Sequence, residues 1–217
     1  MILIELKKLT KEICLYLNDN IKILSMQKEW TSAPALLLVD IQKGLGYLDF
    51  YGGERNNPEA EHNAGLILAY WRQRSWPLFH IKHCSITPGS PLTEGHPGND
   101  HKDEVKPLPG EPVIKKNVNS AFIGTDLKER LDAKGIHTVV IIGLTTQHCV
   151  STTTRMAGNF GYDTVLVYDA TAAFASKGFN GQTIPAQLVH DVAIAELNEE
   201  FAEVLMTEDI LGSRMVR

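Results

Sequence analysis

From Ala35 onward the chain is a succession of short apolar runs separated by segments of helical period. Ala35-Leu36-Leu37-Leu38-Val39, Pro77-Leu78-Phe79-His80-Ile81, Pro112-Val113-Ile114-Lys115, Thr138-Val139-Val140-Ile141-Ile142 and Thr164-Val165-Leu166-Val167-Tyr168 read as strands. Continuous apolarity, without alternation, marks strands covered on both faces. Helices are predicted from Ala64 to Arg74, near Thr125 to Ala133, after Cys149, and as one long helix from about Thr183 to Glu203. Strands alternating with helices at this spacing imply right-handed crossovers and a parallel sheet. The predicted fold class is α/β, a three-layer α-β-α sandwich around a mainly parallel sheet. Such sheets bind ligand beyond the carboxyl ends of their strands, which makes the residues just after each strand the candidates for function.

Two segments depart from this pattern. In residues 1 to about 33, Leu6, Leu9, Ile13 and Leu17 recur at helical spacing among polar residues, which predicts a helical, amphipathic N-terminal extension ahead of a single domain at 34–217. Its short apolar face and acidic residues fit packing on the body or on a neighbouring subunit better than a membrane surface. From Cys84 to Gly110 the chain is rich in Pro, Gly, Ser, Asp and His without a helical period, and reads as a cover over the site.

At 217 residues, one domain with a substantial core is the natural prior. Charged residues at 22%, hydrophobic residues at 43% and a net charge of −5 without a basic stripe argue against disorder and against nucleic acid as a partner. No run approaches the twenty apolar residues of a membrane span, and the first residues lack the order of a secretory signal, so the expectation is a cytoplasmic protein with no membrane partner. The three cysteines, Cys14, Cys84 and Cys149, form no C-x-x-C pair, which turns attention to one reactive thiol.

Three strand ends carry candidate chemistry. Asp40 ends the first apolar run, where it could serve as a general base or simply cap the next segment. Lys115 and Lys116 end the third; an ammonium there could stabilise a thiolate or keep a carboxylate ionised, and one of the two must point elsewhere. Cys149 follows the fourth run through Gly143-Leu144-Thr145-Thr146-Gln147-His148, where a helix begins, and a cysteine at a helix start is expected to have a depressed pKa. Cys14 and Cys84 lack that setting and read as structural. Gln42, Tyr47, His83, Asn119, Phe122, Gln147 and Phe174 are candidate pocket walls by their nearness to strand ends, although an aromatic such as Phe122 or Phe174 serves equally well in a core.

Leu37-Leu38-Val39-Asp40-Ile41-Gln42, Ile114-Lys115-Lys116-Asn117-Val118-Asn119-Ser120-Ala121-Phe122, Gly143-Leu144-Thr145-Thr146-Gln147-His148-Cys149-Val150 and Tyr168-Asp169-Ala170-Thr171-Ala172 stand in that order at the expected strand ends. Over roughly Ala35 to Phe174 the chain resembles the isochorismatase-like cysteine hydrolases, which include nicotinamidases and other small amidohydrolases. The resemblance implies a catalytic triad of Asp40, Lys116 and Cys149, with Lys116 selected over Lys115 by its distance from Ser120-Ala121-Phe122. It also implies a cis peptide between Leu144 and Thr145, an oxyanion hole at Thr145 and Cys149, a small-molecule substrate cleaved at a C–N bond through a thioester, and a homo-oligomer, dimer or tetramer.

The chain departs from named members in two places. Nicotinamidases carry an Asp-x-His metal motif after the second strand; here that region reads His80-Ile81-Lys82-His83-Cys84, with His96, Asp100 and His101 later, so neither a metal nor another cofactor is expected and nicotinamide is disfavoured. Isochorismatases proper cleave a vinyl ether and lack the cysteine, so Cys149 points to C–N cleavage. A vinyl-ether hydrolase and an inactive binding or assembly module are the alternatives.

Overall fold

The computed structural model describes residues 28–216. The helical period read around Leu6 to Leu17, and Cys14 with it, lie outside the described residues. The described end of that extension is extended chain: β1 (Glu29–Trp30) runs parallel to Arg214–Met215 near the C-terminus. The other strands are β2 (Ala35–Val39), β3 (Leu78–His83), β4 (Val113–Lys116), β5 (Thr138–Leu144), β6 (Asp163–Ala172), β7 (Ser176–Lys177), β8 (Thr183–Ile184), β9 (Glu203–Leu205) and β10 (Arg214–Met215). The helices are α1 (Ala60–Arg74), α2 (Leu127–Ala133), α3 (Ser151–Asn159), α4 (Ala186–Ala195) and α5 (Thr207–Leu211).

Six strands form one sheet in the order β4-β3-β2-β5-β6-β9, and every pairing in it is parallel. Side chains alternate between its faces. Ala35, Leu37 and Val39 of β2 point into a core with Leu127 and Leu131 of α2, Ala157 of α3 and Ile194 of α4. Leu36 and Leu38 point to the opposite core with Ala64, Ile67, Leu68 and Trp71 of α1 and Ile210 of α5. Both faces of β2 are thus covered by helices, which is why its sequence is apolar without a break. The expected three-layer sandwich is the fold observed.

The chain leaves β2 toward β3 and β4, then returns to the other side of β2 as β5. Strand order therefore reverses between β2 and β5, and their carboxyl ends open the crevice in which such sheets bind ligands. Gly143 lets the two strands approach there. Its φ is 134°, and a Cβ at that position would stand 2.0 Å from the Val39 carbonyl oxygen.

The helix expected from Thr183 to Glu203 is a correction. Thr183 and Ile184 pair antiparallel with Ser176 and Lys177, Pro185 stands at the N-cap of α4, and Glu199 turns with a φ of 67°. The chain is then drawn out as β9, whose Val204 and Leu205 pair with Leu166 and Val167. A proline that starts a helix at its first turn, and a sheet edge that recruits a short strand, override the apolar spacing that suggested one continuous helix.

Candidate active site

Asp40 follows β2 directly with a left-handed backbone, φ 52°, a conformation that an aspartate tolerates better than most side chains. Its N–H donates to the Ile81 carbonyl at 2.9 Å, tying the turn to β3. On β4 the side chains alternate, Val113 and Lys115 outward, Ile114 and Lys116 inward. Lys115 meets Glu94 at the surface, while the buried ammonium of Lys116 donates to Asp40 Oδ2 at 2.6 Å. The same Nζ lies 3.2 Å from His83 Nδ1 and 3.2 Å from the Val118 carbonyl oxygen. An ammonium has three hydrogens and no lone pair, so these acceptors use all of them and His83 accepts at Nδ1. Burial and the neighbouring Lys116 charge both hold the His83 pKa below the ordinary value. Asp40 Oδ1 is buried and has no partner among the described residues.

Cys149 lies in a single π-helical turn, Thr146–Val150, between β5 and α3. The Leu144–Thr145 peptide ahead of it is cis. A carboxylate oxygen of Asp40, a ring nitrogen of His83 and Cys149 Sγ fall within 4.8 Å of one another, and Asn119 Oδ1 stands 3.8 Å from the sulfur. The sequence led us to expect a thiol of depressed pKa; instead it is pushed up to about 12, first by burial and then by the Asp40 carboxylate, with Lys116 opposing too weakly. Burial, and after it the carboxylate that faces the sulfur, raise the pKa despite the start of the following helix, so the resting group is a thiol.

These residues open on a cavity of about 540 Å3. Of the residues expected at the site, it brings together Asp40, His83, Asn119, Thr145, Gln147, Cys149 and Phe174 in its lining, with Lys116 directly behind Asp40. Three others lie elsewhere. Gln42 is fully buried and bonds backbone, donating to the carbonyls of His83 at 3.0 Å and Asn99 at 2.8 Å and accepting from the His83 N–H at 2.8 Å; it braces His83. Tyr47 is exposed, its ring edge-on to His96. Phe122 is core, packed on Phe160 and Tyr162.

Of one aromatic wall of the cavity, Phe174 was read from the sequence but Phe50 and Tyr51 were not. Tyr51 stacks on Phe174 with ring centroids 4.9 Å apart and 14° between planes, and Phe50 meets Tyr51 edge-on. The aromatic pair at Phe50-Tyr51, soon after the Asp40 strand end, was the available signal. The Tyr51 hydroxyl is pushed up to about 12 by burial, then by the nearby Cys149 and Asp40 charges. Ser85, Thr87, Ser90 and Leu92, from the segment read as a cover, close another side.

Asp40, His83 and Cys149 are also the residues whose ligand atoms could gather around a metal ion among the described residues. The cation already among them is the Lys116 ammonium, bonded to two of the three.

A family model described as the isochorismatase domain matches residues 34–209. The chain belongs to the isochorismatase family. Its relatives include the isochorismatase family protein YrdC of Bacillus subtilis, 47% identical over 178 residues that cover 82% of this chain and 94% of YrdC. A Chromobacterium violaceum hydrolase structure of the isochorismatase family is 40% identical and superposes with a TM-score of 0.82 over 86% of this chain and 96% of that one. A ureidoacrylate amidohydrolase, RutB of Cronobacter sakazakii, is 29% identical over 192 residues, 70% of this chain and 82% of RutB. Members of this family are hydrolases, and the resemblance read from the four sequence blocks is a family relationship.

Proposed function

We propose that this hydrolase cleaves a C–N bond in a small amide or related compound, with Cys149 as nucleophile and Asp40 as general base and acid. The observation that carries the reading is the unequal state of the Asp40 oxygens. Oδ2 is held by Lys116 at 2.6 Å, while Oδ1 is buried without a partner among the described residues, and the thiol, which rests protonated, lies within 4.8 Å of a carboxylate oxygen of Asp40. A thiol this hard to ionise needs its proton removed as it attacks, and a neighbouring carboxylate with an oxygen free of donors supplies that.

The thiol proton passes to Asp40 Oδ1 as Sγ bonds to the substrate carbonyl carbon. The N–H groups of Thr145 and Cys149 receive the developing oxyanion. Protonated Asp40 then gives its proton to the leaving nitrogen, the C–N bond breaks, and ammonia or an amine departs from a thioester. Asp40 next takes a proton from water, whose oxygen attacks the thioester; the acid leaves and Sγ regains a proton. Lys116 holds Oδ2 and leaves Oδ1 to carry the proton in these steps. Among the described residues the lining of the cavity carries no arginine or lysine, which suits an uncharged acyl group lying against the Tyr51–Phe174 wall. That RutB is named an amidohydrolase supports the bond type.

The test is ammonia or amine release from a panel of small amides, ureides and carbamates, with wild type, Cys149→Ala and Lys116→Ala, each with and without chelator. Activity lost in both variants and kept under chelator is expected. A wild type that releases nothing, with a Cys149 that also resists alkylation at high pH, would make the chain a binding module.

A further inference from the structure

The turn that carries Cys149 is held from outside by a histidine to which the chemistry above assigns no part. Thr146, the first residue of that turn, is fully buried, and its Oγ1 lies 2.8 Å from Nδ1 of His190, itself fully buried on α4. Thr145 and Cys149, one residue before and three residues after, are the positions that the proposed mechanism uses.

The tautomer of His190 follows from its other side. Asn57 Nδ2 donates to the carbonyls of Thr171 at 2.8 Å and Tyr168 at 3.0 Å, which fixes the orientation of that amide. The same NH2 group stands 3.4 Å from His190 Nε2. Both of its hydrogens are spent on those carbonyls, and an amide nitrogen accepts no hydrogen bond, so a hydrogen on Nε2 would point at a group that cannot receive it; the ring hydrogen is therefore on Nδ1 and is donated to Thr146 Oγ1. The Tyr168 ring closes against the imidazole at 4.5 Å. The nearest carboxylate, Asp191, is engaged by the Tyr168 hydroxyl and by Gln187 Nε2.

We propose that His190, as the neutral ring protonated at Nδ1, is a positioning residue that holds the Thr145–Cys149 turn in its reactive shape through Thr146. The proposal rests on the reading of Cys149 as nucleophile. Burial holds the His190 pKa down to about 4 against the pull of Asp191, which keeps the ring neutral at ordinary pH. Asn57 and His190 come from distant parts of the chain, and neither is among the residues that line the cavity, so they act on the turn from behind.

Two measurements test this. In 15N-labelled protein, long-range 1H–15N correlation should show His190 protonated at Nδ1 from pH 6 to 9; an Nε2-protonated pattern overturns the proposal. The second compares His190→Asn, which keeps an NH2 donor near the place of Nδ1, with His190→Leu, which does not. Both remove the ring, so both lower the melting temperature. On an amide that wild type cleaves, His190→Leu should lower kcat at least about tenfold with KM little changed, because a misplaced turn costs rate before binding, while His190→Asn stays within about threefold of wild type. Equal losses in the two variants, or none in His190→Leu, overturn the proposal. Should wild type cleave no amide, the same comparison is made on the rate of Cys149 alkylation at high pH. A slower His190→Leu with a normal His190→Asn then keeps the positioning role even though the amidase reading has failed, and identical rates remove it.

Discussion

Two buried carboxylates with basic partners lie among the described residues, and they are wired differently. Glu61 on α1 receives both ends of the Arg55 guanidinium, and Lys102 adds a further donor to Oε1. Burial would raise its pKa, yet the two cations hold it below the ordinary carboxylate range. Asp40 has one cation, on one oxygen, and leaves the other oxygen bare. A carboxylate that only fastens structure is saturated by donors; one placed to take a proton keeps a lone pair free beside the group that gives it. Burial and charge pairing alone do not separate the two, whereas counting donors against lone pairs does.

Exchanging the acids for their amides breaks the comparison most directly. Asp40→Asn should lower kcat by about 10^3-fold with the fold intact by circular dichroism, since an amide cannot accept the thiol proton. Glu61→Gln should leave kcat within about twofold while lowering stability by about 1–3 kcal/mol, from donors left with a poorer acceptor. If Glu61→Gln loses activity as Asp40→Asn does, the distinction drawn here is wrong.

Removing the cation comes next. Lys116→Met leaves the Asp40 carboxylate buried without a counter-charge, which costs about 3–5 kcal/mol, and frees the carboxylate to turn away from the thiol. Urea unfolding and activity should fall together.

The two phenylalanines sharpen the contrast between framework and site. Phe122→Ala should cost about 3 kcal/mol with KM unchanged, since the ring packs on Phe160 and Tyr162. Phe174→Ala should chiefly raise KM, because its ring forms the cavity wall with Tyr51. A normal KM in Phe174→Ala would remove that wall from substrate binding.

The smallest expected effect concerns pH. Burial lowers the pKa of His190 and of His101 from 6.5 to about 4. As pH falls below 6.5 the unfolded chain takes up these protons before the folded one does, so stability is full above that value and declines between about 6.5 and 4. Urea midpoints at pH 7.5, 6 and 5 should descend in that order, and His190→Asn should flatten part of the slope. Midpoints that rise on acidification would contradict neutral, buried rings.

Much of the fold was legible because its strands are covered twice. A run such as Leu36-Leu37-Leu38-Val39 has no polar position, and only a sheet between two helix layers accounts for it. The C-terminal third was not, since Ala186 to Ala195 and Val204-Leu205 share an apolar spacing that Pro185 and the partner strand β6 divide. At the site, the ends of β2, β4 and β5 were legible as places for chemistry because topology brings strand ends together, while the choice of Lys116 over Lys115 came from the family resemblance. Gln42, Tyr47 and Phe122 were misplaced because closeness in sequence to a strand end does not say which way a side chain turns. Tyr51 and His190 were missed because their roles come from what faces them, a stacked ring and a threonine hydroxyl, and those partners lie more than forty residues away along the chain.

The saturated ammonium of Lys116 has a consequence for product release. In the reaction proposed above, hydrolysis would turn an uncharged substrate into an anion beside the Asp40 carboxylate. All three hydrogens of Lys116 are engaged, and among the described residues the lining of the cavity offers no lysine or arginine to hold that anion. That reaction would make its own product unwelcome: a neutral molecule settles in, and the acid it becomes is repelled. Such a pocket works as an electrostatic ratchet, in which affinity collapses at the moment of cleavage and accumulated acid inhibits only weakly.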